Sequence, residues 1–229
     1  MPGNFTFYTH QCNGQIAHFD ENERRHAIVS LRYQSGDSIH FTDGLGTLFE
    51  GILEEVSKTA FTAKIVHAKT TSVRSQLLMV CGIIKSGDRL EWMVEKCTEL
   101  GVSGIYLVPT TNSERVKINL DRMQRTAIAA LKQSHGAWLP EIRQISWKEV
   151  LDLKGEKWIA AIAENAQPIS NLTAPEVCLI GPEGDFTQTE IQEAIHAGYK
   201  PVTLGKTVLR TETAVIALAA SIQLRTVSG

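Results

Sequence analysis

The sequence predicts an α/β protein in two domains, a small β-rich one over residues 1–70 and a mainly parallel α/β one over residues 76–229. Three observations carry this expectation. Residues 1–70 hold short apolar runs separated by turn signals. The stretch Lys69–Ser75 (KTTSVRS) is polar and aperiodic, which places a linker there. Beyond it, apolar runs of strand length alternate with segments of helical period, the pattern of a parallel sheet covered on both faces.

In the first domain, Phe5–Tyr8 and Ile16–Phe19 are short strands. Asp20 with Glu23 three residues on has the spacing of a capping box, so a helix follows through Ser30. Ser35-Gly36-Asp37 turns the chain, and Ser38–Thr42 alternates with Ile39 and Phe41 on one face. Asp43-Gly44 is a hairpin signal, and Leu48–Val56 and Phe61–Val66 complete a set of strands spaced as in a small barrel.

In the second domain, Leu77–Ile84 is nearly all apolar, as in a strand buried on both faces. Asp88 and Glu91 form a capping box for a helix whose apolar stripe is Leu90, Met93, Val94, Cys97 and Leu100, with Gly101 as its stop. Ile105–Val108 is a strand ended by Pro109; a helix over Asp121–His135, a short strand Ile142–Ile145 and a short helix after Ser146 come next. Trp158–Ala163, Val177–Ile180 and Pro201–Leu204 are further strands. Between the last two lies a helix over Thr187–Ala197, with Thr187 and Glu190 as its capping box and Gly198 as its stop. Ala214–Leu224 is a helix apolar on nearly every face, which must be deeply buried or lie in a subunit interface.

Composition bounds the function. The chain has 229 residues, a net charge of −2 and 43% apolar residues, so it does not coat nucleic acid by charge alone. A local basic face remains open. No run reaches the length of a membrane helix and the start lacks a secretory pattern, so a cytoplasmic protein is expected. The cysteines Cys12, Cys81, Cys97 and Cys178 form no CxxC pair and the histidines no HxxxH pair; buried thiols and no metal site are expected.

Ligands of such sheets bind beyond the carboxyl ends of the strands, here the loops after Ala163, Ile180 and Leu204. After Ile180 comes Gly181-Pro182-Glu183-Gly184-Asp185-Phe186. Its glycines let a ligand approach the backbone, but two acids and no lysine repel a polyphosphate. No GxxxxGK[ST] exists, and Gly44-Leu45-Gly46 lacks the rest of a dinucleotide fingerprint. ATP and NAD are poor candidates; S-adenosylmethionine, a sulfonium cation without phosphate, fits better. The same residues also suit an ordinary strand-to-helix turn. After Leu204, the stretch Gly205-Lys206-Thr207-Val208-Leu209-Arg210-Thr211-Glu212-Thr213 leads into the apolar helix, which Thr211 or Thr213 can cap. Arg210 and Glu212 either carry chemistry or simply pair.

The segments IGPEGDF and LGKTVLRTETAVIALAA resemble the C-terminal signature of the SPOUT methyltransferases, and more closely the RsmE family. Lys85, Arg89 and Glu95–Val102 resemble a second block of that family, and Ser113-Glu114-Arg115 and Lys132-Gln133-Ser134 two further segments. His26 through Arg32 and Gly36-Asp37 resemble its RNA-binding, PUA-like barrel. The chain departs at Asp185, where many relatives have glycine, and at Lys132-Gln133-Ser134-His135-Gly136, where many have Glu-Gln-Ser-Gly-Arg.

The resemblance implies a knotted SPOUT-type sheet domain and a PUA-like β-barrel. It also implies a homodimer that methylates N3 of a uridine in small-subunit (16S) ribosomal RNA, as naked RNA or in the assembled subunit. It implies S-adenosylmethionine held by Gly181, Pro182, Glu183, Gly184, Leu204, Gly205, Val208, Leu209, Arg210, Thr211 and Thr213. Uridine N3 carries a proton at neutral pH, so catalysis must hold N3 in line and stabilise the uridine anion. Arg115 and Arg210 are the candidate cations, and Glu212 is the group that orients an arginine or accepts the proton. Arg24, Arg25, Arg32, Lys85 and Arg89 are candidate phosphate contacts. A transfer-RNA methyltransferase of the same superfamily and a non-catalytic assembly factor are the competing readings.

Overall fold

The structure, a computed structural model, describes residues 6–71, 74–114, 117–161, 165–169 and 175–226. Chain contacts divide it into two compact units. One joins Met1–Arg74 with Ile128–Leu139; the other joins Ser75–Ala127 with Pro140–Gly229.

The first unit is a six-stranded sheet in the order β1-β4-β5-β6-β3-β2. These are β1 (Thr6–Tyr8), β2 (Gln11–Asn13), β3 (Ile16–Phe19), β4 (Ser38–Thr42), β5 (Thr47–Val56) and β6 (Phe61–Thr70). Only the β1–β4 pair is parallel. Alternation puts Phe7, Phe19, Ile39, Phe41, Leu53 and Phe61 into one core, where Phe19 and Phe61 stack at 4.3 Å. Asp20 caps α1 (Glu21–Arg24) by accepting from the Glu23 N–H, and the helix widens into a π turn over Arg25–Ser30. The hairpin at Asp43-Gly44 forms as expected: Asp43 Oδ1 accepts from the N–H groups of Leu45 and Thr47.

Residues 128–139 are held in this unit by named bonds. Thr6 Oγ1 bonds His135 Nδ1 at 2.6 Å, and Lys132 Nζ meets Glu23 Oε1 at 2.5 Å. The N–H of Gly46 donates to the Ala137 carbonyl and that of Leu139 to the Gly44 carbonyl. Glu23 therefore spends its carboxylate on Lys132 and does not close the reciprocal half of the expected capping box.

The second unit is a seven-stranded sheet, all parallel, in the order β11-β13-β10-β12-β7-β8-β9. Its strands are β7 (Leu78–Gly82), β8 (Gly104–Val108), β9 (Glu141–Gln144), β10 (Lys157–Ala160), β11 (Gln167–Pro168), β12 (Val177–Ile180) and β13 (Tyr199–Thr203). Its helices are α2 (Gly87–Glu99), α4 (Trp147–Asp152), α5 (Gln188–His196) and α6 (Thr211–Thr226), with the first half of α3 (Leu120–Gln133), whose residues from Ile128 on belong to the first unit. β12 is buried at every residue and β7 at all but its first, as a strand covered on both faces must be. Capping boxes close the starts of α4 (Ser146 with Glu149) and α5 (Thr187 with Glu190).

Several expectations are corrected. The cap of α2 is Ser86, which accepts from the Arg89 N–H, so Asp88 lies in the first turn and Glu91 is free to bind Arg122 at 2.7 Å. α3 stops at Gln133 because His135 takes a left-handed φ of 53°. β6 runs on to Thr70, paired with Thr47, although Lys69 and Thr70 read as linker. β2 is an additional strand that its sequence, without apolar alternation, does not announce. The expected strand Trp158–Ala163 is described as far as Ala160, and Ala163 lies outside the described residues, as do Phe5 and Arg115. α6 begins at Thr211, three residues early, with Thr211, Ala214, Val215, Leu218, Ala219 and Ile222 buried on one side. Its other side keeps Thr213, Ala217 and Leu224 exposed, so the helix is not buried all round. No described helix is long and apolar enough to cross a membrane, and no three described His, Cys, Asp or Glu residues gather as a metal site.

Glu23 Oε2 is buried without a partner among the described residues, so its charge depends on Lys132. Lys132→Met should cost about 3 kcal/mol in urea unfolding, and adding Glu23→Gln should recover most of that loss.

Candidate functional site

In sheet order, β13, β10 and β12 are neighbours, and their carboxyl ends open on a cavity of about 540 Å³. Its floor is small and apolar: Ala160, Ala161, Ala166, Ile180 and Val202. Its walls are two loops. Gly181, Pro182, Glu183 and Asp185 come from the loop after β12, and Thr203 to Thr211 from the loop after β13, with Ala214 behind them.

The first loop is shaped by close backbone packing. A side chain on Gly82, at the end of β7, would start 2.4 Å from Pro182 Cδ, so only glycine lets Pro182 lie there. A side chain on Gly184 would start 2.9 Å from Asn112 Cβ. Asn112 Nδ2 donates to the carbonyls of Gly184 and Asp185, at 3.0 and 3.1 Å. Asp185 itself has φ 58°, and its Oδ1 accepts from the Phe186 N–H at 2.7 Å. Below the loop, the buried Glu190 carboxylate accepts from the N–H and hydroxyl of Thr111 and of Thr187. Burial pushes its pKa up, but these four donors outweigh burial and hold it below the usual value.

The second loop is tied to the first by one buried bond. Thr211 Oγ1 donates to the Gly181 carbonyl at 2.9 Å. The sequence suggests that hydroxyl as a helix cap; the structure spends it on the neighbouring loop, and Thr211 is the first residue of α6. Gly205 has φ 135° and nothing within 4 Å of the place a side chain would begin. Val208 is 88% exposed and Arg210 is exposed, both on the cavity wall.

Glu212 is buried, with its side chain 7% exposed. It does not line the cavity and does not pair with Arg210. Its Oε1 stands 3.7 Å from Arg89 Nε, and its Oε2 is buried without a hydrogen-bond partner among the described residues. Lys85, which stands between β7 and α2, pairs with the exposed Glu114 at 2.5 Å, which raises its pKa. Its N–H meets both Glu183 oxygens at 3.3 Å.

The cavity thus gathers nine of the eleven residues expected to hold a cofactor, and the remaining two, Gly184 and Thr213, stand off its lining. Sequence reasoning missed the alanine floor, Thr203 and the Asn112 clamp; Asp185, Lys206 and Thr207 lie in the loops it singled out but were not among the residues expected to hold the cofactor. Alanines carry no chemical signal, and Asn112 lies 72 residues from its partner Gly184. In the first unit, Arg24 Nε donates to the Ser57 carbonyl at 2.6 Å, whereas Arg25 and Arg32 are exposed. On α2, Glu91, Glu95 and Glu99 stand at four-residue spacing, half-buried and bound by Arg122 and Lys96.

Comparison with known proteins covers both units. A model described as an RNA methyltransferase domain matches residues 71–223, and one described as an RNA methyltransferase PUA domain matches residues 19–66. The ribosomal RNA small subunit methyltransferase E of Synechocystis is 30% identical, over 82% of this chain and 67% of its own. The structure of the Neisseria gonorrhoeae ribosomal RNA small subunit methyltransferase E bound to S-adenosyl methionine superposes with a TM-score of 0.83. It is 32% identical and covers 96% of this chain and 97% of its own. A probable rRNA-methyltransferase from Porphyromonas gingivalis gives a TM-score of 0.87 at 30% identity, over 98% of this chain and 99% of its own.

Glu190 gives the loop support a defined pH response. Its folded pKa is depressed, so its contribution is complete above the unfolded value near 4.5 and is lost as pH falls through the folded value. Urea unfolding from pH 7 down to about pH 3 should show Glu190→Gln less stable than the parent at pH 7, with the gap closing below about pH 4.

Proposed function

This chain belongs to the RsmE family of ribosomal RNA small subunit methyltransferases, and from that premise we propose how its residues divide the work. The reading is methyl transfer from S-adenosylmethionine to N3 of one uridine in small-subunit ribosomal RNA. The observation that carries it is the cavity at the ends of β10, β12 and β13: about 540 Å³, with a small apolar floor and walls of two loops that carry acids on one side and bases on the other.

The cofactor fits this cavity on its donor set. Gly205 leaves room for backbone approach, and acids and bases both stand on the wall. Bound there, S-adenosylmethionine supplies an electrophilic methyl group. Gly181, Pro182, Glu183, Leu204, Gly205, Val208, Leu209, Arg210 and Thr211 hold it; Gly184 and Thr213 support their loops.

The chain's own task is to present uridine N3 and favour the loss of its proton. Arg210, exposed on the wall, is placed to stabilise negative charge developing on O2 or O4. Arg115 is a second candidate cation. Of the two parts open to Glu212, orienting an arginine is favoured, and the arginine is Arg89. Arg25 and Arg32, with Arg24 beside them, dock RNA phosphates from the domain of residues 1–70, while the knotted domain of residues 76–229 performs transfer. Lys85 and Arg89 extend the basic contacts to that domain.

The homodimer is part of this proposal. α2 packs on α6, and Trp92 on the one and Leu224 on the other are 45% and 67% exposed. These apolar groups suit burial against a second copy. Light scattering at micromolar concentration should give twice the mass of one chain; a monomer would refute the dimer.

The function is tested by nucleoside mass spectrometry after incubation with small-subunit RNA or subunits and S-adenosylmethionine. N3-methyluridine should form. Transfer to a ribose hydroxyl, or to transfer RNA alone, would defeat the assignment. Reversing the charge at Arg25 and Arg32 should weaken RNA binding and reduce its salt slope by about one for each phosphate no longer neutralised, with cofactor affinity unchanged.

A further inference from the structure

The charged lining of the cavity is sorted by loop. Among the described residues, Glu183 and Asp185 stand on the loop after β12, and Lys206 and Arg210 on the loop after β13. The two acids are not equivalent. Both Glu183 oxygens accept from the Lys85 N–H, so Glu183 closes its loop onto the residues after β7. Asp185 uses only Oδ1, for the Phe186 N–H. Its Oδ2 has no partner among the described residues.

Asp185 also occupies an awkward backbone. At φ 58° a glycine would be the least strained residue, and Asn112 clamps this conformation through the carbonyls of Gly184 and Asp185. Aspartate is one of the few residues besides glycine that tolerate this conformation, helped here by its own bond to the Phe186 N–H, and it stands exposed on the wall of the cavity with one oxygen uncommitted. With Oδ1 and the backbone fixed by Phe186 and Asn112, Oδ2 is held in a defined place from which it can meet a ligand cation.

We propose that Asp185 is a specificity-determining residue that takes the α-ammonium group at the amino-acid end of the cofactor. The proposal rests on the reading of this cavity as the S-adenosylmethionine site. Asp185 on one loop and Lys206 on the other then match a zwitterion, the acid meeting the ammonium and the base the α-carboxylate. Glu183 is committed to Lys85, and the Arg210 side is left to the transferred group and its acceptor. A ligand with the adenosine part but no amino-acid end gains nothing from Asp185.

Calorimetric titration of the full chain tests this with two ligands, S-adenosylhomocysteine and 5′-methylthioadenosine, the second lacking the amino-acid end. Asp185→Asn should weaken S-adenosylhomocysteine about tenfold and leave 5′-methylthioadenosine within about twofold. Added salt should weaken S-adenosylhomocysteine binding more in the parent than in the variant. Asp185→Gly relieves the backbone, so it should melt no lower than the parent and show the same selective weakening, which separates removal of the carboxylate from damage to the fold. Equal losses for both ligands, or no loss for either, would overturn the proposal and leave the cofactor site standing. Failure of the parent to bind S-adenosylhomocysteine at all would remove the cofactor reading, and this proposal with it.

Discussion

The hydrogen bond from the Thr211 hydroxyl to the Gly181 carbonyl is the contact on which the site depends. It is buried, so neither group can exchange it for water, and leaving that carbonyl unmade would cost about 1–3 kcal/mol. It joins the first residue after β12 to the first residue of α6, and so fixes both walls of the cavity to each other. Glycine at 181 also lets the loop fold back closely on itself: a side chain there would begin 3.0 Å from Asp185 Oδ1 and 3.3 Å from Asp185 Cα. The hydroxyl bond also ties the first residue of α6 to the neighbouring loop, while the Arg210 carbonyl before it accepts the Ala214 N–H at 2.8 Å.

Around that anchor the charges follow one rule: buried carboxylates are filled from nearby donors, and the site's open charges stay on the cavity wall. Glu190 is filled by four donors beneath the first loop. Glu212 departs from this, with a long ion pair to Arg89 and a second oxygen left over, and Glu23 in the first unit also has an oxygen left over. Such an under-satisfied buried charge holds its single cation firmly in place, because losing that partner would leave the charge uncompensated. A family that methylates RNA needs both features. The donor site must be rigid enough to align a methyl group, and cations near the acceptor must not be neutralised by their own neighbours.

Much of this was legible in the sequence, for reasons that differ by element. Val177–Ile180 is the observed strand to the residue, because an all-apolar run between polar turns admits few alternatives. Thr187 and Glu190 announce their capping box by spacing alone. The glycine-rich loop after β12 is visible because its residues serve chemistry and backbone at once. Other features required contacts between distant residues. Ser86 displaces Asp88 as the cap of α2, a contest between two good capping residues that spacing does not decide. The attachment of residues 128–139 to the first unit rests on Thr6, Glu23 and Gly44, more than 80 positions away in each case. β2, with an exposed–half-buried–exposed pattern, owes its strand form to pairing with β3.

All of these features converge on one proposed act, the placement of a single methyl group on N3 of a uridine in small-subunit ribosomal RNA. The most direct measurement is a map of modified uridines in ribosomal RNA from cells with and without the gene. N3-methyluridine should disappear at one small-subunit position in cells lacking the gene and return with the intact gene. A ribosomal RNA map that is identical in the two strains would contradict this assignment.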